Sequence, residues 1–222
     1  MEARFGHSFC QVIPVLGFAT VSKFDLADRL VKSIDYPVEH LVVIDNSGFG
    51  KYQPPANGFV KNVWVLPIPF GLGLVGAWNL VVKTTPYAPY WLLVNDDAWF
   101  EAGALQAIAE NADPTTINHP KVNPHWSAIV LGEKVVQDVG LYDERFYPLY
   151  FDDNDYERRI ELAGFIPKEI DAVIHHDNSA SLNHKYNGVS FENNMNLFHR
   201  KVADGDNGWT WTLDTRRANR WD

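Results

Sequence analysis

The chain has 222 residues, and 28 acidic against 19 basic side chains leave a formal net charge of −9. That length suits one domain with a real core, and hydrophobic and charged shares of 46% and 21% exclude global disorder. A single cysteine excludes an internal disulfide framework and a multi-cysteine zinc site, as expected of a reducing, cytoplasmic setting.

Phe9–Leu16 reads as a first buried strand. Asp25–Ile34 reads as an amphipathic helix, because Leu26, Leu30 and Ile34 recur at four-residue spacing. His40–Ile44 is a second strand of β-branched type, and Asp45-Asn46-Ser47-Gly48 supplies turn chemistry at its end. Val63–Leu66 is a third strand. Gly71–Gly76 (GLGLVG) then leads into a helix that runs to about Thr84. Tyr90–Val94 is a fourth strand, followed at once by Asn95-Asp96-Asp97 and a helix over Ala102–Glu110. Ala128–Leu131 predicts a strand and Glu133–Val139 a short helix. Asp152–Ala163 predicts a helix whose acidic start meets the positive end of the helix dipole, with Gly164 as its stop. Asp171–His176 is a short strand ending in two histidines. A last helix over Ser190–Ala203 places Phe191, Asn194, Met195, Phe198 and Val202 on one face. The alternation predicts an α/β fold, an open, twisted, mostly parallel sheet flanked by helices with a Rossmann-like nucleotide-binding half. One domain is expected over residues 1–206, with a Trp- and Arg-rich tail over 207–222 packed on it.

Partners are bounded by charge and hydropathy. Neutralising nucleic acid needs clustered Lys and Arg, and the only such cluster is Arg216, Arg217 and Arg220, so no nucleic acid is expected. No apolar run approaches the roughly 20 residues of a membrane span, and the first ten residues lack the pattern of a signal peptide.

Acids fall at the C-terminal ends of predicted strands, where ligands bind in open α/β sheets. Asp45 ends the second strand, and Asp96 and Asp97 follow the fourth. Adjacent acids after an apolar strand bury badly unless a cation or hydrogen-bond donors compensate them, and a hard divalent ion shared with a diphosphate is one such compensator. Asn95-Asp96-Asp97 reads equally well as a turn capping the next helix. Asp152, Asp153 and Asp155 form a second acidic cluster, and His175 and His176 supply imidazole nitrogens suited to a metal. The GxGxxG pattern over Gly71–Gly76 is by itself a weak phosphate-loop signal.

The order of these segments resembles the inverting family 2-type glycosyltransferases of the GT-A fold, over about Val12 to Ser181 for most of the chain, with Pro14 at the family's strand-one proline. Val43-Ile44-Asp45-Asn46-Ser47 resembles its V-V-D-N-S/G segment, whose Asp contacts the nucleobase, and Gly73 to Asn79 its G-x-x-G-x-x-N helix entry. Asn95-Asp96-Asp97 occupies the D-x-D position with Asn in place of the first Asp, and Gly140 to Phe146 matches G-x-F-D-E-x-F. Asp152-Asp153-Asn154-Asp155 matches E-D-x-D, and its Phe-Asp-Asp-x-acid-Tyr setting resembles galactofuranosyltransferases.

The resemblance implies a Mn²⁺- or Mg²⁺-dependent transfer of sugar from a nucleoside-diphosphate sugar, expected to be a UDP-sugar, to an acceptor hydroxyl on a glycan, protein or small molecule. It implies Asp153 as the catalytic base. It implies Asp97 with His176, or alternatively His175, as metal ligands, and Pro14, Asp45, Asn46, Gly73, Asn79, Asn95 and Asp96 as the donor-binding set. On the helix, Asp152 and Asp155 are expected to meet the dipole while Asp153 faces the cleft, and Trp78, Trp126, Tyr147 and Tyr150 are candidates to line it. A homo-oligomer is compatible with the sequence. Rival readings are a nucleotide-sugar-binding relative without turnover and a metal-dependent hydrolase built on the same acids and histidines.

Overall fold

The structure, a computed structural model, describes residues 12–177 and 187–207. Eight strands form one sheet in the order β3-β2-β1-β4-β7-β6-β8-β5. They are β1 (Ile13–Thr20), β2 (Val38–Asp45), β3 (Val60–Pro67), β4 (Tyr90–Asn95), β5 (Ala98–Phe100), β6 (Ile117–Lys121), β7 (Ala128–Gly132) and β8 (Lys168–His176). The helices are α1 (Phe24–Lys32), α2 (Gly73–Thr84), α3 (Ala104–Asn111), α4 (Glu133–Val139), α5 (Asp152–Leu162) and α6 (Asn187–Asp204). The first four strands are parallel, β7 pairs antiparallel with β4 and β6, and β8 runs parallel to β6. The reversed strands are therefore β7 and the short β5, which pairs antiparallel with β8.

Strand β4 shows why the central strands read as continuous apolar runs. Tyr90, Leu92 and Val94 point into a core under α1 and α3, while Trp91 and Leu93 point into a second core under α2, α4 and α5. Both faces are covered, so both parities are apolar. Helix α2 approaches the sheet closely at Gly17, where a Cβ would stand 2.5 Å from a Val81 methyl; only a bare Cα lets α2 sit this near β1. Strand β3 lies at the sheet edge, and Val63 and Trp64 on it are exposed.

The strand predicted to end at Leu16 continues to Thr20, and its predicted start at Phe9 lies outside the described residues. This extension moves Pro14 to the N-terminal edge of the sheet. There it lines a groove of about 1100 Å³ with Trp64 and Tyr87. Strands β5 and β6 were not anticipated. The expected tail from residue 208 onward also lies outside the described residues. No helix among the described residues is long and apolar enough to cross a membrane.

Candidate active site

Parallel register brings the polar strand ends to one edge. Thr20 ends β1 opposite Asp45 of β2, and Ala19 beside it stands opposite Asn95 of β4. Strand β8 delivers the histidines from the far half of the sheet. Its antiparallel pairing with β5 sets His176 opposite Ala98, the residue after Asp97. The outcome is a buried contact: His176 Nε2 lies 2.8 Å from Asp97 Oδ1, and each side chain is 4% exposed. The pair is braced from both sides. The Asp97 carbonyl accepts from Arg29 Nη2 and from the Asp177 N–H, each at 3.1 Å. His176 Nδ1 lies 3.3 Å from Ser127 Oγ, and Asn95 Nδ2 stands 3.4 Å from Nε2.

A carboxylate oxygen and an imidazole nitrogen form a donor set suited to Mn²⁺. Two adjacent ligands of an octahedral ion at about 2.1 Å stand about 3 Å apart, so the observed spacing fits a shared ion. Among the described residues, no group of three or more His, Cys, Asp or Glu could enclose one. Two protein ligands with the remaining positions left to phosphate and water is the usual pattern for Mg²⁺. His175 is not brought to this pair. Strand alternation turns it to the opposite face, where it stacks on Trp99 at 5.1 Å and pairs with Glu101 at 3.1 Å.

The other expected donor-binding residues form the scaffold of the edge. Asp45 is fully buried, and its carboxylate accepts from Ser47 N–H at 3.1 Å, Ser47 Oγ at 2.5 Å and Tyr52 N–H at 3.0 Å. Burial alone would raise its pKa, but these donors outweigh burial and hold it below the ordinary range. Asn46 grips the entry of α2, accepting from Leu72 N–H at 2.7 Å and donating to the Gly73 carbonyl at 3.2 Å. Gly73 has φ +71, and a Cβ there would stand 2.8 Å from the Pro148 carbonyl oxygen, which accepts from Leu74 N–H at 2.9 Å. Asn79 is fully buried and ties α2 to the 142–144 segment through Tyr142 N–H at 3.0 Å, the Tyr142 carbonyl at 2.9 Å and Glu144 at 2.9 Å. Asp96 is buried at the end of β4. Pro14, on the opposite edge, is not brought to the site.

The second acidic cluster starts α5 after two residues in the left-handed region, Tyr150 (φ 78) and Phe151 (φ 63). Such backbone persists only where surrounding contacts impose it. Here Asn194 of α6 imposes it, its Nδ2 lying 2.8 Å from the Leu149 carbonyl, 3.2 Å from that of Tyr150 and 3.4 Å from that of Tyr147. Asp155 stands in the first turn of α5, as expected, and is also ion-paired. It pairs with Arg159 at 2.9 Å and Lys201 at 2.6 Å, and Lys201 also reaches Asp143 at 2.6 Å. Burial would raise the Asp143 carboxyl, but hydrogen bonds from Arg145 and Lys201 hold it down to about 2.

Asp152 and Asp153 both line a cavity of about 300 Å³, together with Trp78, Asn95, Trp126 and Tyr142. Asp153 is half-buried and Asp152 buried. Burial first, then the charge of Asp153, lift Asp152 to about 7 against the pull of nearby N–H groups. The sequence pattern assigned Asp152 to the dipole; in the fold it is a second cavity acid. Ser127, Tyr142, Asn194 and Lys201 were also missed as site residues or their supports. The one available signal was the polar Asn194 in an otherwise apolar stripe.

The sequence matches no family model and no curated protein. Solved structures do match. TarS from S. aureus superposes with a TM-score of 0.59 at 12% identity, covering 92% of this chain and 41% of that one. TarS 1–349 gives 0.58 at 11%, covering 92% and 68%. GalNAc-T7 crystallised with UDP, GalNAc and Mn²⁺ gives 0.57 at 10%, covering 77% and 44%. The fold is GT-A. This chain spans less than half the length of the longer TarS structure and of GalNAc-T7.

Proposed function

We propose that the chain is a metal-dependent, inverting glycosyltransferase that moves a sugar from a nucleoside-diphosphate sugar, in the first instance a UDP-sugar, to an acceptor hydroxyl. One observation carries the reading. The buried Asp97–His176 pair and the cavity walled by Asp152 and Asp153 share Asn95 and Ser127, at the C-terminal edge of a GT-A sheet. Asp97 and His176 are the residues that would hold Mn²⁺ or Mg²⁺, which when bound neutralises charge developing on the diphosphate.

The chain's own side chains supply the rest. Asn46 and Gly73 shape the entry of α2 beside the donor, and Asp45 fixes the 45–52 turn that would flank the base. Asp153 takes the proton of the acceptor hydroxyl as that oxygen bonds to the anomeric carbon and the bond to the diphosphate oxygen breaks on the opposite face. Asp152 is the second reading for the base, because a carboxyl lifted to about 7 accepts protons more readily near neutrality.

Product analysis with UDP-sugars and Mn²⁺ tests this. Transfer with inverted anomeric configuration is expected. Free sugar as sole product with every acceptor would mark a hydrolase, and donor binding without either product a binding protein.

A further inference from the structure

Asp97 and His176 stand at the open end of a very short ladder. Strand β5 has three residues, and its pairing with β8 begins at Ala98 and His176. Asp97 lies one residue before that first rung, and Asp177 one residue beyond it. The end of a strand pair frays most readily, because nothing further along holds it. Yet this is the point at which two side chains must keep a fixed spacing to share an ion.

A side chain from outside the sheet closes that end. Arg29 Nη2, on α1, donates to the Asp97 carbonyl at 3.1 Å and to Asp177 Oδ2 at 2.7 Å. The Asp177 N–H donates to the same carbonyl at 3.1 Å. One nitrogen thus ties the residue before the ladder to the residue after it. The guanidinium is held over the Trp99 ring, 3.9 Å from its centroid. Trp99 stacks in turn on His175, its cross-strand partner, at 5.1 Å with planes 20° apart. Two further contacts hold the same segment from the same side. Ser33 Oγ accepts from Phe100 N–H at 3.0 Å, and Asp35 accepts from Gly103 N–H at 2.8 Å. Of these three grips on residues 97–103, only the one from Arg29 reaches the chain ends that carry Asp97 and His176.

We infer that Arg29 is a positioning residue: by clipping residues 97 and 177 together, it fixes the spacing of Asp97 and His176 for a divalent ion. This role rests on the metal-dependent reading proposed above. The sign of its effect separates positioning from charge. Arg29 is a cation near a cation site, and its loss also unpairs the Asp177 carboxylate. Coulomb's law alone therefore predicts tighter Mn²⁺ binding once the guanidinium is removed. Positioning predicts the reverse, because the partners that hold metal ligands in place typically contribute tenfold or more to affinity.

The test is Mn²⁺ titration of the full chain with excess UDP, read from the electron paramagnetic resonance signal of free Mn²⁺, for wild type, Arg29→Gln and Ser33→Ala. The Arg29 side chain is 36% exposed, so Arg29→Gln opens no buried gap. Ser33→Ala removes the neighbouring bond to β5 and controls for a general loosening of that strand. Arg29→Gln should weaken Mn²⁺ binding roughly tenfold, and Ser33→Ala should leave it unchanged. In the metal-free chain, Arg29→Gln should speed hydrogen exchange of the Asp177 amide, and Ser33→Ala should not. Tighter Mn²⁺ binding in Arg29→Gln, an equal loss in Ser33→Ala, or an unchanged Asp177 amide would overturn the inference. If wild type and Arg29→Gln bind Mn²⁺ equally, the positioning role fails while the transferase reading stands. If wild type binds no Mn²⁺ at all, the metal-dependent reading fails and the positioning role fails with it.

Discussion

Replacing Asp152 by Asn keeps the shape of the side chain and removes its charge. In the wild type, burial first and the neighbouring Asp153 second lift the carboxyl from its ordinary 3.8 to about 7. An acid whose folded pKa exceeds its unfolded value holds its proton more tightly when folded. Its effect on stability is therefore most favourable below about pH 4, where both states are protonated. It declines as pH rises, and the loss is complete above about pH 7. At about 1.4 kcal/mol per pH unit, the rise from 3.8 to about 7 corresponds to roughly 4 kcal/mol as a ceiling. Asn has no proton to lose, so the stability difference between Asp152→Asn and wild type should swing toward the variant by about 2–4 kcal/mol between pH 4 and pH 8. Urea unfolding at the two pH values measures the swing. Parallel stability profiles would return Asp152 to the ordinary carboxylate range and remove the reason to weigh it as a proton acceptor.

Three further outcomes are expected. Asp153→Asn should lower transfer by roughly 10²–10⁴-fold while donor affinity is unchanged, the pattern of an interaction made in the transition state; steady-state kinetics and donor titration check it. Gly73→Ala should cost about 1–3 kcal/mol in urea unfolding, because its φ of +71 and the Pro148 oxygen 2.8 Å from the new Cβ both oppose a side chain. Asn194→Ala should cost about 1–3 kcal/mol and speed hydrogen exchange ahead of α5, since the Leu149 and Tyr150 carbonyls lose their donor.

The first half of the fold was legible because its strands are covered on both faces and end abruptly in polar residues. Tyr90–Val94 followed by Asn95-Asp96-Asp97 is such a case, and α5 announced itself through its acidic first turn. Strand β6 was hidden because Ile117-Asn118-His119-Pro120-Lys121 alternates poorly and carries a proline without a donor. Strand β5 has three residues, too few for a periodicity, yet its pairing with β8 is what sets His176 beside Asp97. That meeting is a matter of register between distant segments, and only the resemblance to a known family anticipated it. The environment of Asp152 was illegible for a related reason. It is buried in the wall of a cavity that distant residues such as Trp78, Trp126 and Tyr142 also line, and a local reading of the acidic turn sees the dipole alone. The last helix was read as an apolar face, but Phe191 and Val202 are exposed. The buried residues of that helix, Ser190, Asn194 and Lys201, are polar; Asn194 bonds the loop ahead of α5 and Lys201 bonds α5.

The most direct measurement of the central claim is calorimetric titration of UDP into wild type and Asp97→Ala, each with Mn²⁺ and with excess EDTA. Wild type should bind UDP only with the metal, and Asp97→Ala should lose at least tenfold in affinity, about 1.4 kcal/mol. Equal affinity in EDTA, or full affinity in Asp97→Ala, would contradict a donor site built on the Asp97–His176 pair.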